Sequence, residues 1–350
     1  MSTRLHLKNK DYLISSRNYL DDYSNYESKR IDMTLSGKFL SDYPSINVNI
    51  DFDKYPSKER ADYLISLLGI TKYSVTLGPA SNGILQNIIK ILFINKGNLV
   101  TPFYTFNQAE YATTAMNGET RRVYTSDYKI DLDRMYSSID KNTKLIYICN
   151  PNNPTGEYID PKKLIEFSKK VKPYVLIDES SIDYTNNKSI LDYKLPKNII
   201  VLRTFSKAYG LANLRIGYMV SSEKFKELYV QNTTVNEYSG ISVEYAINMI
   251  KKGSNKLNQN IKKINKEKDK IINGLNKISF LESSSNLLMT RSTFNKKIID
   301  KLEKHNVSLV YVFDENNKLH LRIAIQEEKT NDEFIYVMKE VIKYEDFLSN

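Results

Sequence analysis

The sequence predicts an α/β protein: a mostly parallel sheet covered by helices on both faces, joined to a second, smaller α/β domain. Three observations lead there. Between about residues 70 and 220, apolar strand-like runs alternate with helical patterns, an order that lays strands side by side in parallel under packed helices. Beyond residue 220 the pattern changes to long helices and then to strands interleaved with helices. The length, 350 residues with 41% apolar content, exceeds one minimal core and suits one large domain plus a smaller one.

Taken in order, the first 45 residues show no clear period and are expected to form an arm plus a first piece of the small domain. The large domain is expected over 46–250 and the small one over 251–350. "SVTLG" (74–78) reads as a strand and leads into "SNGILQNIIKILF", where Ile84, Leu85, Ile88, Ile89 and Leu92 share one helical face. "NLVTPF" (98–103), "KLIYIC" (144–149), "YVLID" (174–178) and "NIIVLRTF" (198–205) are the next strands. "DPKKLIEFSKKV" (160–171) is a helix opened by Asp160, with Pro161 at the first helical position. "IGYMV" is a further strand-like run, and "SSEKFKELYVQN" a helix. One long helical stretch is expected over about 242–278. The strands "NLLMTRS", "SLVYVF" and "LHLRIAI" then interleave with helices near 293–305 and 330–344.

Composition narrows the function classes. Cys149 is the single cysteine, so no intrachain disulfide and no thiolate zinc cluster can form. The histidines, His6, His305 and His320, are scattered, which speaks against a metal site and a Ser-His-Asp triad. The start lacks an apolar signal core, and the longest apolar run, "IIKILFI", is too short to span a bilayer. A cytoplasmic location with no membrane partner is expected. The net charge of +10 is spread along the chain, and "IKKINKEKDKIINGLNK" mixes acids into helical spacing. This reads as a solvated helix face and not as a nucleic-acid surface.

Reactive and polar residues fall at the carboxyl ends of the predicted strands, where ligands bind in such sheets. "GPASNG" (78–83) ends one strand and opens a helix whose backbone N–H groups could hold a phosphate. Tyr104 follows the next strand, "CNPNNPTG" (149–156) another, Asp178 ends "YVLID", and Lys207 follows "NIIVLRTF", with Arg215 eight residues later. Any one of these is ordinary. Five on one edge suggest a site, with Lys207 held in it.

"NPNNPTG" and "FSKAYGLANLRIGY", in that order, with "GPASNG" in support, resemble the fold-type I pyridoxal-phosphate aminotransferases of class I and II, in particular the histidinol-phosphate aminotransferase branch. The resemblance covers about residues 50–345. It implies a large domain with a mostly parallel seven-stranded sheet and a smaller α/β domain. It implies that Lys207 forms the Schiff base with pyridoxal 5'-phosphate, that Asp178 sits against the pyridine nitrogen, and that Asn153 bonds the ring oxygen. It places Tyr104 on the ring, and Ser206, Arg215, Ala80 and Ser81 around the phosphate. Tyr55 resembles the tyrosine that reaches the neighbouring subunit's phosphate, which implies a homodimer with shared sites. Arg322, in "LHLRIAI", matches the arginine that clamps the substrate carboxylate.

Three departures from that branch stand out. Ser181 occupies the place of a tyrosine whose hydroxyl also bonds the ring oxygen, with Tyr184 three residues later. No Asn-Glu-Asn-Pro-like segment precedes Tyr55. Tyr311 stands near the place of a substrate-phosphate arginine. The expected reaction is transfer of an amino group from glutamate to a small keto substrate other than that of histidinol phosphate, with a short polyol or amino-alcohol phosphate as the type. The related phosphoamino-acid decarboxylases share "DES" followed by an acid and an aromatic, so decarboxylation of a phosphoserine- or phosphothreonine-like substrate is the alternative. A non-catalytic cofactor-binding regulator is the second alternative, opposed by the intact Lys207, Asp178 and Asn153.

Overall fold

The computed structural model describes residues 31–343, apart from 39, 41, 44–49 and 235–236. The elements run β1 (Ile31–Asp32), α1 (Lys58–Leu67), β2 (Ser74–Gly78), α2 (Ala80–Leu92), β3 (Asn98–Pro102), α3 (Gln108–Ala115), β4 (Glu119–Val123), α4 (Leu132–Ser137), β5 (Thr143–Cys149), α5 (Pro161–Lys170), β6 (Tyr174–Asp178), β7 (Ile199–Thr204) and β8 (Gly217–Ser221). Then come α6 (Glu223–Gln231), α7 (Gly240–Lys252), α8 (Ser254–Gly274), β9 (Leu287–Met289), α9 (Lys296–Lys304), β10 (Val307–Ser308), β11 (Val310–Phe313), β12 (Leu319–Ala324) and α10 (Glu328–Lys343).

Two compact units emerge. Among the described residues the larger holds 37–153 and 157–263, and the smaller holds 31–36, 154–156 and 264–343. The division therefore falls inside α8, whereas the sequence pattern suggested 250/251. A short piece of the "NPNNPTG" segment belongs to the smaller unit.

The larger unit is built on a seven-stranded sheet in the order β2-β8-β7-β6-β5-β3-β4. β4, β3, β5, β6 and β7 are mutually parallel, while β8 runs antiparallel to both β7 and β2. The parallel strands are buried on both faces, so their apolar residues split by alternation into two cores. On one face Leu145, Tyr147, Leu176, Ile200 and Leu202 pack with Ile84, Leu85, Ile88 and Ile89 of α2 and with Phe225 and Tyr229 of α6. On the other, Ile146, Ile148, Val175, Ile177 and Val201 pack with Leu64 of α1, Leu164 and Phe167 of α5, and Ala246 of α7. The predicted cap of α5 is present: the Asp160 side chain accepts from Lys162 N, and Pro161 occupies the first turn.

Two elements depart from the sequence pattern. The single helix expected over 242–278 is two helices, α7 and α8, separated at Gly253. There Gly253 N donates to Met249 O at 2.9 Å, and a Cβ would stand 2.4 Å from that oxygen, so the close turn requires glycine. The strand β4, "ETRRV", shows no apolar alternation because it is an edge strand. Its charges are engaged instead, with Arg122 paired to Glu110 at 2.5 Å and Arg121 to Asp140 at 2.9 Å.

In the smaller unit β11, β12 and β9 form an antiparallel sheet, and β1 pairs with β10 in parallel. The second pairing ties residues 31–32 to β10 of the small unit. The lysine-rich helix α8 buries Ile264 and Ile271, while Lys262, Lys263 and Lys266 are exposed, which is the solvated face its spacing predicted.

A buried ion network braces the turn after β6. Glu179 is fully buried and pairs with Arg203 of β7 at 3.2 Å, Arg203 also reaches Asp183 at 2.5 Å, and Ser189 Oγ donates to Glu179 at 2.5 Å. Burial pushes the Glu179 carboxyl up, and the guanidinium opposes this. Arg203→Ala strands that carboxylate without its cation, so denaturant unfolding should show a loss of about 3–5 kcal/mol, with Arg203→Lys recovering part of it.

Candidate active site

The register of the central strands assembles the site. Cys149 of β5 lies beside Asp178 of β6, and Asp178 lies beside Leu202 of β7. Their carboxyl ends therefore share one edge, and Asp178 shares the α2 face with Tyr147 and Cys149. Asp178 is only 4% exposed, yet its carboxylate is well supplied with donors. Tyr147 Oη donates to Oδ2 at 2.9 Å, and Ser180 donates to Oδ1 through its N–H at 3.0 Å and its hydroxyl at 2.5 Å. Burial, with Asp178 beside it, pushes the Tyr147 hydroxyl well up, so it remains protonated and donating. Ser180 Oγ also lies 3.0 Å from Ser81 Oγ, which ties the carboxylate to the start of α2.

That helix start is built to receive an anion. Pro79 precedes α2 with no side-chain cap, so the first N–H groups have no capping acceptor, and Ala80 takes a left-handed φ of 61°. Across from it, a Cβ on Gly217 would lie 2.9 Å from Ser81 N and 2.7 Å from Arg203 O. Only glycine lets β8 pass this close. Arg215, just before β8, is also left-handed at φ 48°, and its Nη1 donates to Ala212 O at 2.8 Å and reaches Ser206 Oγ at 3.5 Å.

The Lys207 loop is closed on itself. Gly210 N donates to Lys207 O at 2.8 Å, Leu211 N to Phe205 O at 2.9 Å, and buried Asn260 donates to Ala208 O at 2.9 Å. Burial drives the Cys149 thiol up, Asp178 adds to this, and Lys207 opposes it.

Tyr104 is buried within an aromatic group, its ring 5.0 Å from Tyr128 and 4.9 Å from Phe103. Asn152 holds its backbone, donating to Tyr104 O at 2.6 Å while accepting from Thr105 Oγ1 at 2.9 Å. Glu157 O accepts from Asn152 N at 2.7 Å, and Glu157 Oε2 accepts from Ile130 N at 2.7 Å. Ser181 is buried at the start of a short 3-10 turn, Ile182–Tyr184, and Tyr184 is buried at its end. Tyr55 precedes α1 and is 90% exposed.

In the smaller unit Arg322 of β12 is 1% exposed, and its Nη2 donates to Thr34 O at 2.6 Å. The hairpin register pairs Arg322 with Val310 and Tyr311 with Leu321. Tyr311 and Arg322 therefore project to opposite faces of that sheet. Sequence reading passed over Tyr147, Ser180, Asn152, Gly217 and Asn260. Tyr147 looks like one more apolar position in a buried strand, and the others acquire partners only through folding.

The aminotransferase class I and II family model matches residues 30–337. The chain belongs to that family. It is an aminotransferase that uses pyridoxal phosphate. It is 30% identical over 309 residues to histidinol-phosphate aminotransferase of Thermoanaerobacter pseudethanolicus, covering 85% of this chain and 86% of that one. Its fold is shared with the Sinorhizobium meliloti histidinol-phosphate aminotransferase solved with pyridoxal-5'-phosphate (TM-score 0.73, 19% identity, covering 92% and 93% of the two chains). It is shared as well with the L-threonine-O-3-phosphate decarboxylase of Porphyromonas gingivalis (TM-score 0.65, 16% identity, covering 89% and 99%).

The residues of this aminotransferase fit the cofactor. Asn153 Oδ1 is buried with no hydrogen-bond partner. The two ends of a side-chain amide exchange by a flip, so this end can meet a ring oxygen as a donor. The uncapped N-terminus of α2, narrowed by Gly217, offers N–H groups at phosphate scale.

Glu157 braces this site and titrates near neutrality. Burial pushes its carboxyl from 4.5 up to about 7, opposed by the Ile130 N–H and Lys129. A folded value above the unfolded one gives stability that is full below pH 4.5 and lost as pH rises through about 7. Glu157→Gln keeps an acceptor for Ile130 N but has no charge to bury. In a pH series of melting curves its thermal midpoint should match wild type below about pH 4.5, exceed it by a growing margin between there and about pH 7, and hold that margin at higher pH.

Proposed function

We propose that this aminotransferase moves an amino group from glutamate to a small phosphorylated ketone. The observation that carries this reading is the set formed by Lys207, the Asp178 carboxylate and the uncapped start of α2, in a chain similar over most of its length to histidinol-phosphate aminotransferases. Ser181 and Tyr311, standing where that branch is expected to have tyrosine and arginine, support an acceptor other than the ketone of histidinol phosphate.

Pyridoxal phosphate, when bound, supplies an aldehyde that takes up the substrate amine and a ring that accepts electrons from its Cα. Lys207 Nζ would hold that aldehyde at rest and, once released by the incoming amine, move a proton at the substrate Cα. Asp178 would keep the proton on the ring nitrogen, and the Asn153 amide would orient the ring oxygen. The α2 N–H groups, Ala80, Ser81, Ser206 and Arg215 would hold the phosphate, the guanidinium through parallel donors. Arg322 would take the carboxylate of the amino acid. Its guanidinium is buried and bonds Thr34 O, and its planar fork matches the two oxygens of a carboxylate. The reading includes a homodimer in which Tyr55 reaches the neighbouring phosphate, supported by its exposure.

Glutamate alone should convert the yellow enzyme to its amino form, and a series of small phosphorylated ketones should restore the colour, followed by absorption spectroscopy. CO2 released from phosphoserine or phosphothreonine, with no spectral change under glutamate, would replace this reading by decarboxylation. Fast turnover of histidinol phosphate would remove the argument from Ser181 and Tyr311. Arg322→Ala should raise the glutamate concentration needed for half-conversion by an amount equivalent to about 2–5 kcal/mol, measured by the same spectral titration.

A further inference from the structure

Asp178 carries more hydrogen bonds than holding a ring nitrogen requires, and their arrangement has a consequence. An ionised carboxylate offers about four lone-pair positions, two on each oxygen. Among the described residues, Oδ1 receives two donors, Ser180 N–H at 3.0 Å and Ser180 O–H at 2.5 Å, and Oδ2 receives one, Tyr147 O–H at 2.9 Å. Three positions are filled and one is open, on Oδ2.

We propose that Tyr147 and Ser180 are positioning residues that fix the Asp178 carboxylate so that Oδ2, the oxygen bound by Tyr147, receives the cofactor's ring nitrogen, and that Tyr147 tunes the basicity of that oxygen. The inference rests on the reading of Asp178 as the ring-nitrogen partner. Ser180 saturates Oδ1 and closes it to a further donor. Tyr147 is fully buried on β5, so it cannot swing away, and its hydroxyl stays protonated in that place. A donor to a carboxylate oxygen withdraws charge from it. Taking the donor away makes Oδ2 more negative and draws the ring-nitrogen proton toward it. Both effects favour protonation elsewhere on the bound cofactor. The contact between Ser180 Oγ and Ser81 Oγ, 3.0 Å, gives the hydroxyl a second neighbour at the phosphate end. With its one proton committed to Oδ1, Ser180 accepts from Ser81 or leaves the Ser81 proton to the phosphate.

The test is the pH titration of the bound cofactor's visible band in the loaded enzyme, together with cofactor affinity by equilibrium dialysis. Tyr147→Phe keeps the ring and removes the donor. Ser180→Ala removes the hydroxyl and keeps the N–H, and Ser180→Thr restores the hydroxyl. Tyr147→Phe and Ser180→Ala should each move the spectral midpoint upward by at least about half a pH unit, with Ser180→Thr returning to within about 0.2 of wild type. A side chain that only filled space would change melting and leave the midpoint in place. Midpoints within about 0.2 of wild type in both Tyr147→Phe and Ser180→Ala would overturn the proposal, and if Tyr147→Phe does not load, the serine pair decides by the same criterion. Asp178→Asn separates the two levels of argument. If it leaves the midpoint and the affinity unchanged, the reading of Asp178 itself fails. If it shifts them while Tyr147→Phe and Ser180→Ala do not, the positioning roles alone fail.

Discussion

The carboxyl group of Asp178 is almost out of contact with water, and its donors and its place at the end of a central strand organise this edge of the larger unit. An ionised carboxyl in an apolar interior is strongly disfavoured unless donors replace the lost hydration. Here Tyr147 and Ser180 supply three, two of them from the residue that directly follows the strand turn. The cost is limited further by position. Asp178 is the last residue of β6, so only the strand behind it lies in the apolar core, while its head opens on the edge where α2 begins.

That edge exists because five strands run parallel and are buried on both faces. Parallel pairing places every carboxyl end on the same side, and the helices that return the chain fill the two apolar layers. β8, running against its neighbours, brings Gly217 beside the start of α2 at the same edge. Two residues there, Ala80 and Arg215, occupy left-handed backbone positions that are uncommon for side-chain-bearing residues. Such positions persist where surrounding structure over-determines them, and here they belong to the expected phosphate cradle.

Behind this edge lies a second buried set of charges, Glu179 with Arg203 and Asp183, on the opposite side of the same turn. Adjacent residues 178 and 179 thus face opposite layers of the sheet, one into the site and one into a structural ion network. The "DESSIDY" segment reads as a run of similar polar residues, but the strand alternation sends its two acids to different tasks.

The sequence by itself determined the class of fold and the identity of most candidate site residues. Lys207, Asp178, Asn153 and Arg215 stand in short motifs at strand ends, and strand ends are legible because apolar runs stop there. Helices with strong spacing and chemical caps, such as α5 behind Asp160, were legible for the same local reason. Only the tertiary structure decided what required distant partners. The pairing of β5 with β6 turns Tyr147 from a core residue into a donor to Asp178, and the return of β8 gives Gly217 its meaning. Strand β4 escaped notice because an edge strand has no need of apolar alternation, and the break at Gly253 because a single glycine is compatible with a continuing helix. The face of Tyr311 was set by a one-residue register in a hairpin, and a shift of one residue inverts every side chain. Local chemistry is written along the chain, whereas alternation and register act between strands and become fixed only when those strands meet.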